Sequence, residues 1–217
     1  MPLVKLLLIG GSGRVGSFCT PYLKERHSLR VLDPRPPRHE GVEHVEGTAL
    51  DEDAVRRAVD GVDAFIWMAM LSPQGGSVTT QNVPTILNNY DVNCKSLHLF
   101  LYVAQEAGVK RGVYTSTMSA HYRERAPYPS GKLYDMEELT PLDTPSVYGR
   151  PHGSRIYATD EEDLADAYSR AVDAVQIGHG RFDAVFIAGD ETEEDHNLTK
   201  AKRLLGWEPR SHRYLKR

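Results

Sequence analysis

Cysteine is nearly missing from this chain: Cys19 and Cys94 are the two thiols in 217 residues. Both fall in helical patterns, and a single pair cannot supply the disulfide framework of a small secreted domain. Reduced thiols in a cytoplasmic protein are the expectation. Long apolar runs are missing as well; none approaches the ~20 residues that cross a bilayer, so no membrane segment is expected. A strand pattern starts within a few residues of the first methionine, which leaves no room for a signal peptide. There is no excess of positive charge. Lys and Arg number 26 against 30 Asp and Glu, a formal net charge of −4. A general nucleic-acid binder needs a basic face to neutralise phosphates, so that class is set aside. The nine histidines do not cluster at metal-ligand spacings, and no metal site is expected. Repeats and low-complexity segments are absent.

What is present is an alternation of two periods. Residues 4–9 read as a buried strand. Residues 14–26 read as a helix with Val15, Phe18, Cys19 and Leu23 on one side. A second strand over 29–32 ends at Asp33, and Pro34-Arg35-Pro36-Pro37-Arg38 then excludes helix and central strand. A short strand over 43–45 precedes a helix capped by Asp51 and running to about residue 59. A fourth strand covers 64–68. A long helix over 83–107 stops at Gly108, and a fifth strand covers 112–116. Later come a helix over 160–175, with an inward stripe of Leu164, Tyr168, Val172 and Val175, a strand over 183–188, and a helix over 197–205 stopped at Gly206. This alternation predicts an α/β protein with a Rossmann-type doubly wound parallel sheet and helices on both faces. Residues 1–150 are expected to form the nucleotide-binding domain, and 151–217 a reduced C-terminal segment packed on it. Strand 183–188 is expected to pair with the fifth strand, because an uncovered apolar edge invites aggregation.

The first strand–helix junction carries the chemistry. Leu6-Leu7-Leu8-Ile9-Gly10-Gly11-Ser12-Gly13-Arg14-Val15-Gly16 is an apolar strand running into glycines spaced G-x-x-G-x-x-G, then a helix. Gly10 permits a tight turn, Gly13 lets backbone approach phosphate, and Gly16 lets the helix pack closely on the strand. Free N–H groups at the helix start face the anion. Residues 10–16 are therefore expected to hold a dinucleotide pyrophosphate. Met68, Ala69 and Met70, at the end of the fourth strand, are expected to line the ribose and nicotinamide side.

Further segments resemble the extended short-chain dehydrogenase/reductases, specifically the NAD-dependent epimerase/dehydratase family. Asn93 in Tyr90-Asp91-Val92-Asn93 matches an asparagine in that family's long helix. The segment from Ala107-Gly108-Val109-Lys110-Arg111 through Thr117 resembles its approach to the active site. Lys200-Ala201-Lys202-Arg203-Leu204-Leu205-Gly206-Trp207-Glu208-Pro209 resembles its C-terminal signature. The resemblance implies that Asp33 binds the adenosine ribose, which favours NAD, while Arg35, Arg38 and Arg14 leave NADP open. It places Thr48 and Ala49 beside the adenine, with Thr48 standing where the family usually has an acid. Thr117 would orient the substrate oxygen and Tyr148 would act as general acid/base. The implied chemistry is hydride transfer on a small-molecule alcohol or carbonyl substrate such as a sugar nucleotide. The implied assembly is a homodimer through paired helices.

One departure bears on catalysis. Four residues after Tyr148 the family's lysine is replaced by His152, between Pro151 and Gly153, and Arg155 to Asp160 already resembles a much later family segment. The catalytic helix, the sixth strand and much of the substrate lobe are thus expected to be shortened, which removes one of the dimer helices. A tyrosine near its reference pKa of ~10 is a poor base at neutral pH without a neighbouring cation. The alternative reading is a non-catalytic NAD(P)-binding module or sensor. A second Y-x-x-x-K, Tyr128-Pro129-Ser130-Gly131-Lys132, reads as a loop because Pro129 and Gly131 disfavour the helix that would align the pair.

Overall fold

The computed structural model describes residues 3–71, 82–116, 159–178, 180, 182–191, 193 and 197–210. The chain divides into two compact units, Met1–Thr115 and Ser116–Arg217. The domain boundary expected at residue 150 lies outside the described residues.

In the first unit, apolar strands line up in parallel. β1 (Val4–Ile9) pairs with β2 (His27–Asp33) on one side and with β4 (Ala64–Trp67) on the other. β3 (Glu43–Glu46) extends the sheet beyond β2, and β5 (Gly112–Tyr114) beyond β4, giving the order β3-β2-β1-β4-β5. Successive strand residues face opposite sides, yet Leu6, Leu7, Leu8 and Ile9 are all buried, as a sheet covered on both faces requires. The order reverses at β1, which opens a crevice beyond its carboxyl end.

The helices are α1 (Arg14–Leu23), α2 (Glu52–Val59), α3 (Val83–Tyr90) and α4 (Ser96–Glu106). Asp51 caps α2 by accepting hydrogen bonds from the Asp53 and Ala54 amides. Phe100 of α4 stacks edge-on against Phe65, ring centres 4.9 Å apart, and tilts against Trp67 at 5.5 Å. These contacts fix α4 against β4. Gly112 is required beneath the same ring, since a Cβ there would lie 2.1 Å from Phe65. At the opposite end of the sheet Arg30 donates to the carbonyls of Ala58 and Asp60 at the end of α2 and pairs with Glu43 at 2.7 Å. That hydrogen bond holds the Glu43 carboxyl below its ordinary pKa.

Two expectations for this unit need correction. Phe18 is not on the inner face of α1; Gly16, Ser17, Cys19, Thr20 and Leu23 are, and Phe18 is exposed. The stripe shifts because glycine and small polar residues let α1 lie close, which periodicity of apolar residues does not reveal. The long helix over 83–107 is not one α-helix. A π turn, Asp91–Lys95, separates α3 from α4.

The second unit contains α5 (Glu161–Gln176) and α6 (Thr199–Leu205). Asp160 caps α5 through the Glu162 amide, and Gly206 ends α6 in a left-handed conformation, φ +60°. Trp207 is fully buried with Ala167, Phe186, Ala188, Leu198 and Ala201. Its indole N–H donates to the Asp163 carbonyl at 2.9 Å, the Asp163 carboxylate accepts the Arg210 amide, and Arg170 donates to the carbonyls of Leu205 and Gly206. The predicted stripe on α5 is half right: Tyr168 and Val172 are buried, but Leu164 and Val175 are only partly so, and Asp163, Ala165 and Ser169 are buried instead. Recruitment of Asp163 into the Trp207 network turns the helix. The expected strand over 183–188 does not form; these residues join no ladder, although Phe186 and Ala188 supply core.

Candidate functional site

The crevice beyond β1 is walled by three chain segments: the glycine loop, the exit of β2 and the exit of β4. In the glycine loop, Gly10 takes φ +76°, and a Cβ there would lie 2.7 Å from the Ala69 backbone at the β4 exit. The Gly13 amide donates back to the Gly10 carbonyl, closing the turn. Gly13 is then the N-cap of α1. Having no side chain, it leaves the first-turn amides without a capping acceptor. A Cβ on Gly16 would sit 2.2 Å from the Gly11 carbonyl oxygen, so helix and loop are in direct backbone contact. Bare backbone, an uncapped helix start and close packing together form a cradle that fits a pyrophosphate. Arg14 is exposed and Val15 half-buried at its rim.

Ser12 does not project into that cradle. Its Oγ donates to the Arg35 carbonyl at 2.7 Å and its amide donates to Asp33 Oδ2 at 3.2 Å. Asp33 Oδ1 accepts the Arg35 amide at 3.0 Å. The β2 exit is therefore stitched to the glycine loop. Two histidines extend the stitching. His39 Nε2 and His44 Nε2 lie 2.9 Å from the carbonyl oxygens of Ser17 and Asp33; a carbonyl only accepts, so both nitrogens carry the proton. Sequence reasoning singled out neither histidine, since a lone histidine in a polar loop carries no pattern.

Thr48, expected beside an adenine, is exposed, and its hydroxyl accepts the Leu50 amide at 3.0 Å, making a local turn. Ala49 packs into the core. At the β4 exit, expected to line the nicotinamide side, the Met68 amide donates to the Ile9 carbonyl, the Trp67 indole N–H donates to the Ala69 carbonyl at 2.9 Å, and Met70 is exposed.

Asn93 bonds the loop after β4. Its amide oxygen accepts the Leu71 N–H at 2.8 Å and its amide nitrogen donates to the Leu71 carbonyl at 2.9 Å. One side chain thus satisfies both backbone groups of the residue after Met70. The π turn at Asp91–Lys95 contains it, as such turns often do at working sites. Asn93 acts by holding the β4 exit. Asn93→Ala is expected to destabilise the protein by about 1–3 kcal/mol, since two backbone groups lose their partners. Urea denaturation measures this, and an unchanged midpoint would show that the clamp carries no load.

Thr117, Tyr148 and His152 lie outside the described residues, as does the Tyr128–Lys132 decoy. Among the described residues no group of three or more His, Cys, Asp or Glu is placed to hold a metal ion. None of their helices is long and apolar enough to cross a membrane.

A family model described as NAD(P)H-binding matches residues 10–140. The 3β-hydroxysteroid dehydrogenase/Δ5→4-isomerase of Mycobacterium tuberculosis is 34% identical over 122 residues, 54% of this chain and 32% of its own length. A 3β-hydroxysteroid dehydrogenase of Mycolicibacterium neoaurum is 34% identical over a stretch of the same length, 33% of its own. The matched stretch thus spans about a third of the length of these curated relatives. Among solved structures, a UDP-glucose 4-epimerase superposes with TM-score 0.71 at 17% identity, covering 98% of this chain and 93% of that one. The Thermus thermophilus UDP-glucose 4-epimerase, solved with NAD, gives 0.66 at 18% identity, covering 96% and 94%. At such identities the structures speak for the fold alone.

Proposed function

Because this chain belongs to the NAD(P)H-binding family, we propose that it is a member of the short-chain dehydrogenase/reductase and epimerase/dehydratase group that moves hydride between a nicotinamide dinucleotide and a small secondary alcohol or carbonyl compound. The carrying observation is the cradle: Gly10, Gly13 and Gly16 present bare backbone and an uncapped helix start at the reversal point of the sheet. When bound, the dinucleotide supplies the hydride acceptor or donor. The chain's own residues supply the rest. The amides at the start of α1 bind the pyrophosphate. Asn93, through Leu71, sets the β4 exit on the nicotinamide side. Thr117 orients the substrate oxygen, and Tyr148 takes or returns the hydroxyl proton. The 34% identity to hydroxysteroid dehydrogenases supports alcohol–ketone chemistry, and a sugar nucleotide is the other substrate class to be tried.

His152 in the place of the family's lysine favours a second reading, dinucleotide binding without turnover. Thermal unfolding with NAD and NADP at millimolar concentration tests the shared premise. A ligand that binds only the native state must raise its stability, by about 2.7 kcal/mol at a hundred times Kd. No rise with either dinucleotide sinks both readings. Appearance of reduced nicotinamide with a panel of sterols and sugar nucleotides, lost in Tyr148→Phe, separates turnover from mere binding.

A further inference from the structure

α1 keeps a proline in its interior: Pro21 lies near the end of the ten-residue helix. Proline has no N–H, so residue 21 cannot give the carbonyl of residue 17 its helical hydrogen bond, and the ring crowds that carbonyl. Ser17 is buried, where a main-chain carbonyl without a donor is costly. The donor comes from outside the helix. His39 Nε2 lies 2.9 Å from the Ser17 carbonyl oxygen, 22 positions away in the chain. A side chain thus stands in for the N–H that Pro21 lacks.

Ser17 is also tied to the glycine loop. Its amide donates to the Gly13 carbonyl at 2.9 Å and its hydroxyl to the Ser12 carbonyl at 3.3 Å. His39 therefore grips α1 one turn from the bare backbone of the cradle. His39 itself belongs to the turn that leaves β2. That turn is fastened at two further points: Ser12 Oγ donates to the Arg35 carbonyl at 2.7 Å, and Lys24 Nζ donates to the Glu40 carbonyl at 3.1 Å. Each of the three bonds ends on a backbone carbonyl. The one made by His39 also repairs a defect in α1.

We propose that Pro21 and His39 work as a pair in which the proline frees the Ser17 carbonyl and His39 claims it, so that His39 is a positioning residue for dinucleotide binding. It fixes the turn after β2 against the cradle, and the ligand meets both walls of the crevice already set. This rests on the dinucleotide reading above and adds to it a residue that acts through α1. Without the bond, the turn has to be ordered at the moment of binding, and affinity falls by that ordering cost.

The test is a double-mutant cycle on the full chain, read by melting temperature and by calorimetric titration with NADH. His39→Ala is expected to lower the melting temperature by about 3–6 °C in wild type, and by less than about 2 °C where Pro21→Ala has restored a main-chain N–H at residue 21. Binding is expected to behave differently. His39→Ala weakens NADH about tenfold in either background, because the restored N–H mends the helix and leaves the turn unfastened. Pro21→Ala alone stays within about twofold of wild type, and His39→Gln, which keeps a side-chain N–H for the same carbonyl, within about threefold. The proposal is overturned if Pro21→Ala does not reduce the stability cost of His39→Ala, since His39 is then no stand-in. It is overturned equally if Pro21→Ala/His39→Ala binds NADH as wild type does, since His39 then serves the helix alone. Failure of wild type itself to bind NADH overturns the dinucleotide reading and this one with it, and is told apart because no variant is needed to see it.

Discussion

A single methyl group on Gly16 is expected to abolish measurable dinucleotide binding. The ideal Cβ would lie 2.2 Å from the Gly11 carbonyl oxygen and 2.6 Å from the Gly11 carbonyl and α carbons. Every one of these atoms is backbone, so no side chain can rotate away. Either α1 moves off β1 or the glycine loop moves off α1. Overpacking of this kind costs about 1–3 kcal/mol, occasionally more, which lowers the melting temperature by roughly 2–4 °C per kcal/mol in a chain of this size. The larger loss is in binding, because the displaced segment carries the amides proposed to bind the pyrophosphate and the Ser12 amide that Asp33 holds. Gly13 provides the comparison. A Cβ there would meet only the Gly10 carbonyl oxygen, at 3.1 Å, so Gly13→Ala should cost little stability while still hindering the approach of phosphate. Melting curves for both variants, with and without NADP, decide it: Gly16→Ala as stable as Gly13→Ala would contradict the backbone contact.

The largest loss of stability is expected from Trp207→Ala. The indole is fully buried in the second unit, and its N–H donates to the Asp163 carbonyl. Large aromatic-to-alanine changes in cores cost about 3–5 kcal/mol through lost transfer energy and the cavity left behind. Here an orphaned carbonyl adds to that cost. Trp207→Phe retains most of the ring and should lose about a third to a half as much, mainly the hydrogen bond and the unfilled volume. Far-ultraviolet dichroism during urea denaturation separates the two. Equal destabilisation by both substitutions would place the effect in the hydrogen bond alone, and no destabilisation by either would refute the packing.

The sheet was readable from the chain because β1 and β4 carry unbroken apolar runs, β2 is broken only at Arg30, and the connections are bounded by a capping acid, a glycine or the proline turn. Asp51, Asp160, Gly108 and Gly206 mark their helix ends by chemistry that acts within four residues. Long-range decisions were not readable. Phe18 looks inward by its period, yet Gly16 and Ser17 take that face because only small residues tolerate the Gly11 backbone. Residues 83–107 have an uninterrupted helical period, and nothing local marks the π turn; it carries Asn93, whose bonds reach Leu71, 22 positions away. In the site, the glycines were legible from spacing alone. The inward turn of Asp33 was not, since it depends on the Ser12 amide 21 positions earlier. Residues 184–188 are a continuous apolar run of strand type, but Phe186 and Ala188 are used against Trp207 and Leu198 rather than in a ladder.

Trp67 and Trp207 are the chain's two tryptophans. Each is fully buried, one in each compact unit. The molecule thus carries two indole fluorophores with separate addresses. Trp67 lies under the β4 exit, with its N–H on the Ala69 carbonyl, next to the place proposed for the nicotinamide, which in its reduced form would accept its excitation energy. Trp207 reports on the packing of α5 and α6. In Trp207→Phe the remaining emission belongs to the dinucleotide-binding unit, and in Trp67→Phe to the other. Titration with NADPH and titration with urea can then be read unit by unit without attaching any dye.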